Sequence, residues 1–256
     1  MKAKKSLGQN FLIDQAIIKN ISDSIPAMEK DLIIEIGPGM GALTKYLKQK
    51  NSQLICYEID LDMKRYLSSF EDKKTKIIYQ DILLTDIKST IQNLKYQNLY
   101  IVGNLPYYIT TPIIKHLINQ DLNVSEMIFM VQEEVADRFT AVPKNKEYGS
   151  MTLFLKYYYD VKKLFKVSKY AFNPVPKVES AIIKLVKRKE SVVVDSEKYF
   201  KLINDSFKMK RKTLKNNLSG YDFDKVINVL KKYNLDDKVR AEEISEEVFI
   251  DICNSL

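Results

Sequence analysis

Near the middle of the chain stands the stretch IVGNLPYYITTP, residues 101–112. An apolar run ends there on an amide, Asn104, followed by Leu105, a stiffening Pro106 and Tyr107. Residues of these types in this order would serve methyl transfer to the exocyclic amine of an adenine. The lone pair of that amine is conjugated into the ring, so the nitrogen is a weak nucleophile until it pyramidalises. Two acceptors aimed at its hydrogens promote this change without a strong base. The side-chain oxygen of Asn104 and the backbone carbonyl of Leu105, fixed by Pro106, would be those acceptors, and Tyr107 would stack on the base to hold it in line. A plain turn containing Asn and Pro is the alternative, but such a turn does not call for the tyrosine. The single histidine, His116, falls in the helical pattern PIIKHLI and reads as packing.

A second constellation is glycine-rich. In EIGPGMGALTKYL, residues 35–47, an apolar run ends and a helical pattern begins. Gly37 and Gly39 permit a tight turn and a close backbone approach by a ligand, while the start of a helix offers unpaired N–H groups. Spelled Gly37-x-Gly39-x-x-Ala42, the loop also satisfies the dinucleotide fingerprint, which leaves an NAD enzyme open at this point. Glu58 has two oxygens for the two hydroxyls of a ribose, and Asp81 could receive an adenine amino group. Either acid alone reads as a solvated carboxylate. Together, at regular intervals, they favour an adenosine-containing cofactor.

Those groups need elements to position them. The runs DLIIEIG, QLICYEID, KIIYQD, LYIVGN and EMIFMVQ alternate with stretches that suit helices, the pattern of a parallel sheet with helices on its faces. Gly37, Glu58, Asp81 and Asn104 follow one another at steps of about 20 residues, one helix plus one strand. All four therefore fall at carboxyl ends of strands, the edge on which open parallel sheets bind ligands. After residue 150 the pattern changes. MTLFLKYYYDVKKLF and SAIIKLVKR read as strands, FNPVPKV as a loop, and the sequence from 196 onward as helices only. The charged run KRKES marks a boundary near Lys187 to Ser191, giving domains 1–187 and 188–256.

At 256 residues with 45% hydrophobic content, the chain can bury a sizeable core. Lys and Arg number 41 against 33 Asp and Glu, a net charge of +8 that favours a polyanionic partner such as nucleic acid. The two cysteines, Cys56 and Cys253, lack metal-ligand spacing, which points to a cytoplasmic protein without disulfides or metal. Gly8, Gln9, Asn10 and Asp14 break any signal-peptide core, and no segment reads as membrane-spanning.

The stretches KKSLGQNFL, EIGPGMGALT, YEID, QDIL, NLPYYITTP, FNPVPKVESA, RKTLKNN and RAEEIS, in that order and across nearly the whole chain, resemble the KsgA family of small-subunit ribosomal RNA adenine dimethyltransferases. The resemblance implies a Rossmann-like α/β class I methyltransferase sheet with a small C-terminal all-α domain. It implies an S-adenosylmethionine enzyme that dimethylates N6 of two adjacent adenosines in the 3′-terminal hairpin of 16S ribosomal RNA on an assembling small subunit, acting as a cytoplasmic monomer.

Carried over by motif, Gln9, Asn10 and Leu12 would close over the cofactor, Gly37 and Gly39 would take its methionine part, Glu58 its ribose, and Asp81 with Ile82 its adenine. Asn104, Leu105, Pro106 and Tyr107 match the catalytic tetrad, with Asn104 also beside the cofactor. Phe172 matches a ring that stacks on the opposite face of the flipped adenine; on its own it reads equally as a core aromatic. Lys208, Lys210, Arg211, Lys212 and Lys215 match a basic RNA-contacting helix, where a solvated helix is the alternative. Tyr108 and Met209 depart from the family pattern, where a second Asn and a Gln are frequent. The chain begins almost at KKSLGQNFL, so an upstream RNA-contacting arm is not expected. RKTLKNN and RAEEIS argue against a sister enzyme that methylates one adenosine of large-subunit RNA. Intact Asn104, Tyr107 and Glu58 argue against a non-catalytic assembly factor.

Overall fold

The computed structural model describes residues 4, 7–189 and 194–256. Lys5 and Ser6 of the first motif, and Glu190 and Ser191 of the expected boundary, lie outside the described residues. Strands are β1 (Phe11–Leu12), β2 (Leu32–Ile36), β3 (Gln53–Glu58), β4 (Thr75–Tyr79), β5 (Leu99–Asn104), β6 (Val124–Gln132), β7 (Tyr159–Val167), β8 (Phe172–Asn173) and β9 (Ser180–Lys187). Helices are α1 (Gln15–Asp23), α2 (Thr44–Leu47), α3 (Lys64–Leu67), α4 (Ile87–Ile91), α5 (Thr110–Asn119), α6 (Glu133–Phe139), α7 (Ser150–Tyr158), α8 (Ser196–Ser206), α9 (Leu214–Asn217), α10 (Phe223–Lys232) and α11 (Glu246–Ser255).

Seven strands form one sheet in the order β4-β3-β2-β5-β6-β9-β7, parallel from β4 through β6, with β9 antiparallel to β6. All five residues of β2 are buried. Strands covered on both faces carry no polar alternation, which is why they stand out in the sequence as unbroken apolar runs. Ile36 lies opposite Tyr57 on one side and Gly103 on the other. That register brings Gly37, Glu58 and Asn104 out along one edge, with Asp81 two residues beyond the end of β4. Separately, β1 and β8 pair as a two-stranded antiparallel ribbon.

The chain divides into two compact units, Met1–Ala136 with Lys162–Lys187, and Asp137–Val161 with Arg188–Leu256. The single cut expected at 187/188 therefore needs amending, because Asp137–Val161 belongs with the helices. Of the stretch expected as one strand, YDVKKLF lies in β7 but MTLFLKYY is α7. Its Thr152 hydroxyl donates to the Arg138 carbonyl at 2.7 Å and accepts the Gly149 N–H at 3.2 Å, which starts a helix. Leu153 and Tyr157, four apart on one helical face, then pack with Tyr199, Leu202 and Ile203 of α8. Burial against that face outweighs the strand preference of the tyrosines. In the same unit α8, α9, α10 and α11 each begin on a capping side chain, Asp195, Thr213, Asp222 and Ser245, that accepts a first-turn N–H. Among the described residues no helix is long and apolar enough to cross a membrane.

Candidate active site

The last residue of β5 is Asn104, and its side-chain nitrogen donates to the backbone carbonyl of Asn10 at 3.0 Å. Because a carbonyl only accepts, this bond assigns the nitrogen end of the amide and turns Oδ1 the other way. Leu105 is buried, and its N–H donates to the Met130 carbonyl of β6. Pro106 opens a short 3-10 turn over Tyr107–Ile109, and its carbonyl accepts from both the Ile109 N–H and the Thr110 hydroxyl. The turn is fixed from both sides. The Tyr107 hydroxyl meets Ser180 Oγ, at the buried start of β9, at 2.5 Å. Burial pushes the Tyr107 phenol above its ordinary value, with the Ser180 hydrogen bond opposing the rise. It stays a phenol at neutral pH and does not serve as a base.

A cavity of about 320 Å³ lies against this edge, lined by residues from the glycine loop, the ends of β3 and β4, the Asn104 turn and residues 7–12. That volume suits a small cofactor or nucleoside. Gly37 and Gly39 hold positive φ angles of 69° and 58°. A Cβ added to Gly39 would sit 3.2 Å from the Phe11 ring, so side chains other than hydrogen are both strained and crowded there. Glu58 is buried, and each of its oxygens accepts a backbone N–H, from Gly39 at 2.9 Å and Asp60 at 2.8 Å. Burial raises its carboxyl above the ordinary value, against the pull of those two hydrogen bonds. Asp81 caps the turn Ile82–Leu84 by accepting the Leu83 N–H, and Ile82 is buried beside it. Gln9, Asn10, Leu12, Gly37, Gly39, Glu58, Asp81, Ile82 and Asn104 all line this one cavity.

Two expectations change. Phe172 does not present an open ring: it is 1% exposed, packed in the core of the first unit, and its strand β8 pairs with Leu12 of β1. The basic cluster is not a helix either. Helix α8 ends at Ser206, and residues 208–212 form an exposed turn, leaving only Lys215 on α9. The turn is shaped by Asn217, whose amide accepts the Met209 N–H at 2.9 Å and donates to the Met209 carbonyl at 3.2 Å.

Three site residues had no role in the sequence reading. Glu35, one residue from the end of β2, lines the cavity with its carboxyl buried. Burial pushes that carboxyl up to about 7, opposed by hydrogen bonds from the Thr44 hydroxyl at 2.7 Å and Cys56 Sγ at 3.5 Å. Ser180 holds Tyr107, and Asp60, two residues past Glu58, accepts from Gln9 and Lys4. The only sequence signal for Ser180 and Asp60 is that they fall inside VESA and YEID. His116 sits on α5, with Nε2 3.1 Å from the Thr85 carbonyl.

A family model described as ribosomal RNA adenine dimethylase matches residues 1–256. Ribosomal RNA small subunit methyltransferase A of Streptococcus pneumoniae serotype 2 (strain D39 / NCTC 7466) is 41% identical over 265 residues, covering 99% of this chain and 91% of that protein. Among solved structures, a dimethyladenosine transferase from Plasmodium falciparum superimposes with a TM-score of 0.79 at 24% identity, covering 94% of this chain and 95% of that one. The 23S rRNA methyltransferase ErmE gives 0.75 at 23% identity, covering 96% and 99%. At these identities the two structures speak for the fold, a class I methyltransferase sheet followed by a helical region.

Proposed function

The chain belongs to the ribosomal RNA adenine dimethylase family, and from that premise we propose that it dimethylates N6 of two adjacent adenosines in the 3′-terminal hairpin of 16S ribosomal RNA, using S-adenosylmethionine, while the small subunit assembles in the cytoplasm. It is a ribosomal RNA adenine N6,N6-dimethyltransferase. The finer reading rests most on one observation: Asn104 ends β5 with its amide nitrogen committed to the Asn10 carbonyl, so the oxygen is the end left to receive an amine. The 41% identical relative named for the small subunit supports that target over a large-subunit one; likeness of fold to ErmE does not separate them.

The cavity suits a nucleoside-bearing methyl donor. Each Glu58 oxygen accepts one N–H and has a second lone pair for a ribose hydroxyl. The crowding under Gly39 leaves the loop backbone itself as the surface a ligand meets. Asp81 has one oxygen on Leu83 and another for an adenine amino group. When bound, S-adenosylmethionine would supply an electrophilic methyl on a sulfonium. The rest is done by this chain. Tyr107, held at its hydroxyl by Ser180, stacks on the flipped adenine. Asn104 Oδ1 and the Leu105 carbonyl accept the two N6 hydrogens and draw the nitrogen toward a pyramid, exposing its lone pair. With no base among these groups, the displaced proton passes to solvent. After one methylation N6 keeps one hydrogen, and one acceptor still engages it for the second. Phe172, closed in the core, would brace residues 7–12 through its pairing with Leu12 rather than stack on the base, and the exposed Lys208, Lys210, Arg211, Lys212 and Lys215 would contact phosphates, which position RNA without reading its bases.

The test is to incubate the protein with each purified ribosomal subunit and labelled S-adenosylmethionine, then map modified adenines. Two adjacent N6,N6-dimethyladenosines in small-subunit RNA are expected. Methylation of a large-subunit adenosine would overturn the target, and tight NAD binding in calorimetry with no response to S-adenosylmethionine would overturn the cofactor.

A further inference from the structure

Six consecutive residues, Leu7 to Leu12, line the cavity as a strap whose far end pairs with β8. Its near end is tied down around Asp60, with Lys4 also reaching the exposed Asp62 carboxylate at 2.6 Å. The Asp60 carboxylate is 2% exposed, and it accepts from Gln9 Nε2 at 2.7 Å, from Lys4 Nζ at 2.5 Å and from the Asp62 N–H at 3.0 Å. Two of those three donors belong to the N-terminal segment. Gln9 is itself held straight, since its Oε1 accepts the Lys4 N–H at 2.9 Å. One residue after Gln9, the Asn10 carbonyl accepts from the Asn104 amide. A buried carboxylate stripped of partners is costly, so this tie is strongly specified once formed.

We propose that Asp60 is a positioning residue for the reaction: it latches the strap across the cavity and, through the Asn10 carbonyl, sets which end of the Asn104 amide faces the target amine. The proposal rests on the assignment of Asn104 as an acceptor. The torsion that turns an asparagine amide is broad and roughly two-fold, so its nitrogen and oxygen ends exchange places by a half-turn. A flipped Asn104 would point donor hydrogens at donor hydrogens and oppose the amine. The Asn10 carbonyl accepts only the nitrogen end, and that carbonyl stays in place only while the strap does. The latch also touches the cofactor side, because the Asp60 N–H donates to Glu58, whose other oxygen holds Gly39. One unbroken series of hydrogen bonds thus joins the glycine loop to the strap, and the strap bonds the catalytic amide.

Two variants test the latch. Asp60→Asn keeps the size of the side chain and removes one acceptor oxygen. Gln9→Glu breaks the same tie from the half-buried strap side by setting carboxylate against carboxylate. In the cofactor-free protein, hydrogen exchange over residues 9–13, which includes the Ile13 N–H bonded to the Ala171 carbonyl, should speed up in both variants while β2 and β5 keep their protection. At saturating S-adenosylmethionine and RNA, the single-turnover rate should fall by about 10-fold to 100-fold, the scale of a small misplacement of a reacting group. In an Asn104→Ala background the same variants should change the rate by less than about twofold, because a residue acting through Asn104 has nothing left to act on. Equal losses in both backgrounds, unchanged rates, or unchanged exchange of the strap would each overturn the proposal. If the parent chain methylates no adenine, the functional reading fails, and the exchange measurement still decides whether the latch exists.

Discussion

At the carboxyl edge of the sheet the reactive side chains are pinned: Asn104 by the Asn10 carbonyl, Glu58 by two backbone N–H groups, Tyr107 by Ser180. In the turn at residues 208–212 it is the backbone that is pinned, by Asn217, while the Lys and Arg side chains are exposed. Transfer of a methyl group tolerates little error in placement, so its groups are buried and bonded. A phosphate contact needs reach and charge, and long flexible side chains on a fixed turn supply both. The hydrogen bonds of the edge therefore fix the reacting side chains, while those of the turn fix chiefly the main chain, with Lys210 Nζ also donating to the Lys146 carbonyl at 3.3 Å.

Breaking the pinned edge should give the largest effects. Asn104→Ala should lower the single-turnover rate by about 100-fold to 1,000-fold, the scale seen when one group aimed at a transition state is removed, with calorimetric affinity for S-adenosylmethionine reduced far less. Retention of most of the rate would contradict the acceptor role. Glu35 adds a pH dependence. Its carboxyl titrates near 7 in the fold and near 4.5 outside it; the folded state thus holds an extra proton between those values and loses stability as pH rises through them. Glu35→Gln should remove a pH-dependent loss of up to about 3 kcal/mol, read as denaturant midpoints of parent and variant converging at pH 5 and separating at pH 8. Parallel pH profiles would show that the raised carboxyl is not there.

Smaller effects sharpen the contrast. Glu58→Ala should weaken S-adenosylmethionine binding by roughly 1.5–3 kcal/mol, the range for hydrogen bonds to a charged group, with binding to ribosomal particles intact. A loss of both would mean that the edge and the basic turn are not separate. Asn217→Ala should weaken particle binding by about 1 kcal/mol or less, by loosening the turn and touching no phosphate. Asn217→Asp, which keeps the acceptor for the Met209 N–H and loses the donor to its carbonyl, should fall between parent and Ala in filter-binding assays.

Much of the edge was legible because buried parallel strands read as apolar runs, and Gly37, Glu58, Asp81 and Asn104 each follow such a run closely. What stayed hidden depends on partners distant in sequence. Asp60 meets Gln9 across 51 residues and Tyr107 meets Ser180 across 73, separations that no local pattern records. The aromatic run of α7 reads as strand because its choice of helix is made by packing against α8. Phe172 carries the same residue type whether it faces a base or the core, and only its 1% exposure shows which. Lys208 to Lys212 have helical composition, but the Asn217 amide, eight residues beyond Met209, holds a turn instead.

The most direct measurement sets two numbers side by side, affinity for the small-subunit particle and single-turnover rate at saturating particle, for Asn104→Ala and for the triple variant Lys210→Gln, Arg211→Gln, Lys212→Gln. The triple variant should bind more weakly, with the salt slope reduced by up to about one unit per lost phosphate contact, and should keep the parent rate once saturated; Asn104→Ala should bind like the parent and lose the rate. A triple variant with the parent's salt slope and a depressed saturated rate would contradict this division between an edge that reacts and a turn that holds.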